Sequence, residues 1–358
     1  MPLLSVTALD VPIPGGDMHL SVLLVPLIVL LPLTLPSLEL QAGQSIEVVG
    51  MKATVVEFRQ LPYVQNEYTA KFSFPDVANP KYVELRAFAE LDRYVAAGKT
   101  EFEKQVLLLD WAQSRINYGT PEKTVGRDPF AIIASAKKEQ EAFCVQYAAL
   151  LCTAANALGW PCRIVEVGNH TWTDLWSNQY GKWMHFDPTG PFYVAKDGIP
   201  ISTREYRDAM FGDKKGVERI IHGRHTSDRM KGYAYLLYVP NNDYTTKLGG
   251  WFMVKDKNTD KEPLMQATQV PDSGKDLDFP INQAAMAVTA SATGLEIALK
   301  TLTPNFAGFK VRIDEKAWAD NPGTASWSVH PGKNVFEAKS VNKYGVDGYV
   351  SRIVLEIK

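Results

Sequence analysis

Cysteine is scarce: a chain of 358 residues carries three, Cys144, Cys152 and Cys162. They lie so close together in sequence that they cannot staple distant parts of the chain into a disulfide framework. A Cys152–Cys162 pair that leaves Cys144 free is one reading of them, and two simply buried thiols beside Cys144 is the other. Charge of one sign is also lacking. A net charge of −2 excludes the strongly basic footprint of a nucleic-acid-binding protein. The sequence has no phosphate-cradling glycine loop of the P-loop or dinucleotide type, no HExxH and no paired CxxC. His222 and His225 have helical spacing but no third ligand nearby, so they are read as a solvated loop, and neither metal nor cofactor is expected.

Residues 20–38 contain no charge at all and are almost wholly apolar. Pro26, Pro32 and Pro36 interrupt the run and argue against a stable membrane-spanning helix. It is read as the apolar region of a signal peptide with a small residue, Ala42, near its end. Met1–His19 has no Lys or Arg, which departs from the usual leader. Segment 1–43 is therefore expected to be a signal peptide or a membrane anchor, and the protein to be secreted or periplasmic, or else membrane-anchored.

At 46% hydrophobic and 22% charged residues, the remainder is globular and too long for one ordinary core. Ile46–Phe58 is rich in β-branched residues and predicts one or two strands. Between Pro80 and Gly119 the apolar period becomes helical, with a break at Ala97-Gly98-Lys99. Asp128-Pro129 signals another helix start, with Asp as cap and Pro at the first helical position. Cys144 opens a stretch that is apolar or small through Leu158, the mark of a helix buried all round. Gly159 and Pro161 end it. Alternating strands follow, Arg163–Val167 and then a hairpin of Thr171–Leu175 with Lys182–Asp187. Residues 216–277 mix Gly, Asn, Asp and Lys with short apolar runs such as Tyr233–Val239 and Trp251–Val254 and read as an irregular extension with a few strands. From 278 to 358 short alternating runs separated by turns suggest a β-sandwich.

The central stretch carries the chemistry. A thiol attacks a carbonyl only as thiolate, and a free cysteine of pKa about 8.5 is mostly protonated at neutral pH. A helix start and a neighbouring imidazole both favour the thiolate. Cys144, His170 and Asp187 stand in the order nucleophile, base, orienting carboxylate. On the two hairpin strands His170, Trp172 and Asp174 share one face, as do Trp183, His185 and Asp187. A six-residue loop sets His170 opposite Asp187, a four-residue loop makes them diagonal neighbours on one face, and a five-residue loop separates them onto opposite faces. The sequon Asn169-His170-Thr171 would place a glycan against the base, so either the match is read as chance or the chain as bacterial.

Cys144 at a helix start, Leu158–Arg163 as Leu-Gly-x-Pro-x-Arg, His170-x-Trp172 and Trp183-x-x-x-Asp187-Pro188-Thr189 together resemble the transglutaminase-like superfamily. The resemblance implies an α+β, papain-like core, in which a buried cysteine-bearing helix packs on an antiparallel sheet. That core is expected over 44–215, followed by an immunoglobulin- or fibronectin-like module. It also implies a cysteine hydrolase that cleaves an amide in a peptide, glycopeptide or cell-wall polymer through a thioester. Ala142-Phe143 replace the family's usual glycine, and no Trp stands in 124–128, which favours hydrolysis over crosslinking. Trp172, Trp176, Trp183 and Gln146 are taken as substrate contacts, with Gln140, Gln146 or the Cys144 amide as oxyanion donors. The rival readings are a non-catalytic binding or scaffold protein of this fold, and a polysaccharide lyase centred on His170.

Overall fold

A computed structural model describes residues 37–121, 125–136, 141–167, 170–221, 224–227, 235–243, 252–255 and 276–358. Residues 1–36, which hold most of the charge-free run, and Gln140, Asn169 and His222 lie outside these. Among the described residues no helix is long and apolar enough to cross a membrane. The architecture is α+β, a helical layer on an antiparallel sheet joined to a region of strands alone.

The helix Cys144–Ala157 lies at the centre of the first part, and every residue from Gln146 to Ala157 is buried. Its alanines, Ala148, Ala149, Ala154, Ala155 and Ala157, let neighbours approach from all sides. Tyr82 and Leu85 from helix Pro80–Phe88, Leu108, Leu109 and Ala112 from helix Glu101–Ser114, and Ile132 from helix Pro129–Ala136 pack on one side. Cys162, Ile164, Leu175, Met184 and Phe186 close the other. The helix starts are capped as their residues require: Asn79 accepts from the Lys81 amide at 3.1 Å, and Asp128 accepts from the Ala131 amide at 2.9 Å. One break exceeds the sequence expectation. Glu90 takes a positive φ of 48° and divides Pro80–Phe88 from a short helix, Leu91–Val95.

The sheet of this part runs, in spatial order, Arg224–Ser227, Val217–Ile221, Phe192–Lys196, Lys182–Asp187, His170–Ser177, Cys162–Val167, Tyr235–Tyr238 and Phe252–Lys255. Segment 216–277, expected to be irregular with a few strands, supplies strands to both edges of the sheet. Arg163 pins its middle. The guanidinium is fully buried, 3.0 Å from Asp174 and 3.3 Å from Asp278, and lies between the Trp183 and Tyr238 rings. A charge at this depth persists only because carboxylates and ring faces replace water around it.

The C-terminal strands form a sandwich. Six strands, in the order Ser45–Val48, Met51–Arg59, Ser351–Ile357, Gly332–Asn342, Phe306–Ile313 and Ala319–Asn321, face three, Ala285–Ser291, Gly294–Lys300 and Thr324–Trp327. Val55, Ile297, Trp327, Phe336 and Leu355 fill the space between them. Strands 45–59 therefore lie in the sandwich and not in the helical part, where the segment 44–215 had placed them. The alternation that identifies a strand states which face is apolar, not which sheet receives it.

Candidate active site

Cys144 is the first residue of the central helix and half-buried. Its amide and the next belong to the first turn, where no intrahelical carbonyl is available. Gln146 builds this start: its Oε1 accepts from the Phe143 amide at 3.1 Å, and its Nε2 donates to the Gly126 carbonyl at 3.1 Å. The loop 125–128 is thereby clamped beside the cysteine. At 1% exposure, and with its amide turned to Phe143 and Gly126, Gln146 offers almost no surface to a substrate; its place is to hold the turn.

The sheet brings the other two groups. Ser177 pairs with Lys182 across a four-residue turn, and the register runs on to Thr173 opposite Phe186. Continued by one pair it sets Trp172 opposite Asp187, so His170 and Asp187 are diagonal neighbours on one face. Their side chains meet, with His170 Nε2 2.6 Å from Asp187 Oδ2. The Asp187 Oδ1 accepts from the Thr189 amide at 2.9 Å. Asp-Pro-Thr is thus a turn that fixes the carboxylate and leaves one oxygen for the imidazole.

With Nε2 turned to Asp187, Nδ1 is the ring nitrogen left for the thiol. Burial opposes the imidazolium, but the hydrogen bonding and negative charge of Asp187 and Cys144 outweigh it and push His170 up to about 10. Burial likewise opposes the Cys144 thiolate. His170, by hydrogen bonding and charge, and Thr171, through its amide and hydroxyl, still hold the thiol below the ordinary cysteine value. Asp187 is 3% exposed; burial raises its carboxyl, and His170, His185 and the Thr189 amide more than reverse that. All three directions favour a charge-separated site of thiolate, imidazolium and carboxylate.

Trp172, Trp176 and Trp183 are 0 to 1% exposed and offer no surface to a substrate. Trp172 lies behind the His170 ring, at 5.4 Å between centroids, and donates to Thr203 Oγ1 at 2.8 Å. Trp176 and Trp183 pack on each other and on Phe279 and Ile281. Aromatic residues at period two mark one face of a strand but do not distinguish a covered face from an open one. The exposed aromatics near the cysteine are others: Phe143, directly before it, and Tyr118, on a short strand paired with Glu141–Ala142, are 39% and 62% exposed. Sequence reasoning placed both ahead of the cysteine, Phe143 in the place of the family's usual glycine, but took neither as a substrate contact; their position just before the helix start was the available signal. His185, at 0% exposure, touches Thr203 Oγ1 through Nδ1 at 3.0 Å and packs on Trp172 and Tyr206. Among the described residues no cluster of His, Cys, Asp and Glu is arranged to hold a metal.

Residues 89–188 match the family model described as the transglutaminase-like superfamily. No curated protein matches the chain. Among solved structures, the chain is similar to one from Cytophaga hutchinsonii named as a candidate cysteine protease, at 13% identity and a TM-score of 0.27. That alignment covers 60% of this chain and 66% of the other, just under two thirds of its length.

Proposed function

We propose that the transglutaminase-like core in residues 89–188 works as a cysteine hydrolase on an amide in a peptide, glycopeptide or cell-wall polymer. The observation that carries this reading is the meeting of Cys144, at a helix start, with a His170 whose Nε2 lies 2.6 Å from Asp187. The Cys144 thiolate attacks the carbonyl carbon, and the carbonyl oxygen takes the negative charge. The Cys144 amide and the next, at the very start of the helix, stabilise that charge. The tetrahedral adduct collapses, the C–N bond breaks, and His170 gives its proton to the departing nitrogen. Water then attacks the thioester, His170 takes a proton from it, and the acid leaves with the thiolate restored. Asp187 holds the ring with Nδ1 toward sulfur throughout. Phe143 and Tyr118 are the apolar surfaces available to a bound chain, and the burial of the three tryptophans removes the aromatic platform that had favoured a sugar.

Screening peptide, glycopeptide and polysaccharide pools against the wild type, Cys144→Ala and His170→Ala tests the proposal. The expected outcome is amide cleavage that both substitutions abolish, with an acyl-enzyme mass trapped on the wild type at low pH. Polysaccharide cleavage that survives Cys144→Ala and fails with His170→Ala would replace this reading with lyase chemistry.

A further inference from the structure

Thr171 follows His170 in the same strand and points to the opposite face of the sheet, the one covered by the cysteine helix. It is 4% exposed and lies directly opposite Glu166, itself 9% exposed, on the neighbouring strand. Its hydroxyl has two acidic neighbours, the Cys144 sulfur and the Glu166 carboxyl. A hydroxyl has one proton to donate. Arg127, in the loop that Gln146 clamps, lies close enough for its charge to act on Glu166.

We propose that Thr171 is a positioning residue for the nucleophile, and that Glu166, balanced by Arg127, governs whether its hydroxyl supports the Cys144 thiolate. With Glu166 protonated, or its charge neutralised by Arg127, the hydroxyl is free to donate to sulfur. With Glu166 ionised, the hydroxyl turns toward the carboxylate, and a second negative charge stands near the thiolate. The titratable and charged groups around this pair are Cys144 on the helix, His170 on the same strand, Asp187 on the next, Arg127 on the loop and, through Asp187 and His170, the buried and neutral His185. Burial raises the Glu166 carboxyl above its ordinary value, against the opposing effects of Arg127 and Thr171, which brings its ionisation closer to neutrality.

The inference rests on Cys144 and His170 forming the reactive pair, and its test separates the two claims. Iodoacetamide labelling of Cys144 is followed against pH by mass spectrometry in the wild type, Thr171→Val, Thr171→Ser, Glu166→Gln and His170→Ala. Thr171→Val is expected to label about threefold more slowly at about pH 6, with an unchanged alkaline plateau, which is a rise of about half a unit in the apparent thiol pKa. Thr171→Ser restores the wild-type profile, and Glu166→Gln matches the wild type at low pH, where Glu166 is protonated, and labels faster than it once the pH passes the Glu166 ionisation. Continued protection of Cys152 and Cys162 shows that each variant is folded. If His170→Ala raises the apparent pKa while Thr171→Val leaves it unmoved, the role of Thr171 is overturned and the reactive pair stands. If His170→Ala leaves the profile unchanged, the reactive pair itself fails.

Discussion

The His170–Asp187 contact decides how the thiol behaves at neutral pH. An imidazole pushed up to about 10 stays protonated across the range in which the thiol ionises, so the reactive form spans neutrality and fades above about pH 10. Replacing Asp187 by Asn removes the charge that opposes burial. Cys144 alkylation at pH 7 should then fall about tenfold or more, because the rising limb of the labelling profile moves to higher pH as the imidazolium is weakened; an unshifted limb would dismiss the role given to Asp187. Cys152 and Cys162 should behave otherwise. Both are 0% exposed, and Cys152 Sγ donates to the Cys162 carbonyl at 3.0 Å. Burial and its neighbour Cys152 together raise the Cys162 thiol well above its ordinary value. Native labelling should therefore stop at one thiol and reach three only in denaturant.

At the scale of single elements, the cysteine helix is controlled at both ends. Its start depends on Gln146. Its end depends on Gly159, which has a φ of +81° and on which a Cβ would stand 2.6 Å from Tyr344. Asn342, on a sandwich strand, donates to the Gly159 carbonyl at 2.9 Å. Gly159→Ala should cost about 1–3 kcal/mol in urea unfolding, from backbone strain and the displaced ring together; a change below about 0.5 kcal/mol would show that Tyr344 yields freely. The helix and its stop were legible in the sequence because an apolar run with a terminal glycine admits few other structures. The closeness of His170 to Asp187 was legible as a condition on turn length, and the turn has four residues. The burial of Trp172, Trp176 and Trp183 was not, because it depends on which segments cover that face, among them Phe279 and Ile281 from far along the chain. Thr171 was missed for a similar reason: a threonine in a strand is ordinary until the opposite residue and the helix beneath it are known.

Over the whole molecule, two histidines of opposite character shape the dependence of stability on pH. His185 is pushed down to about 3, chiefly by burial. The unfolded chain binds that proton more readily, so stability falls as pH drops from about 6.5 toward about 3, at up to about 1.4 kcal/mol per unit. His170 is shifted the other way. Its contribution is complete below about pH 6.5 and is lost as pH rises toward about 10. Urea midpoints for His185→Gln should lose less between pH 7 and pH 5 than those of the wild type, and parallel losses would assign the acid sensitivity to other groups. The sandwich bears on a different property, the order in which the molecule is completed during synthesis. Strand Ser351–Ile357 sits between Met51–Arg59 and Gly332–Asn342. A strand made early must therefore wait, with one edge unpaired, until residues 351–357, about three hundred positions later, have left the ribosome. Cys144, His170 and Asp187 are all made well before that strand, so the nucleophile can be assembled while the sheet beside it is still open to chaperones or to pairing with another copy.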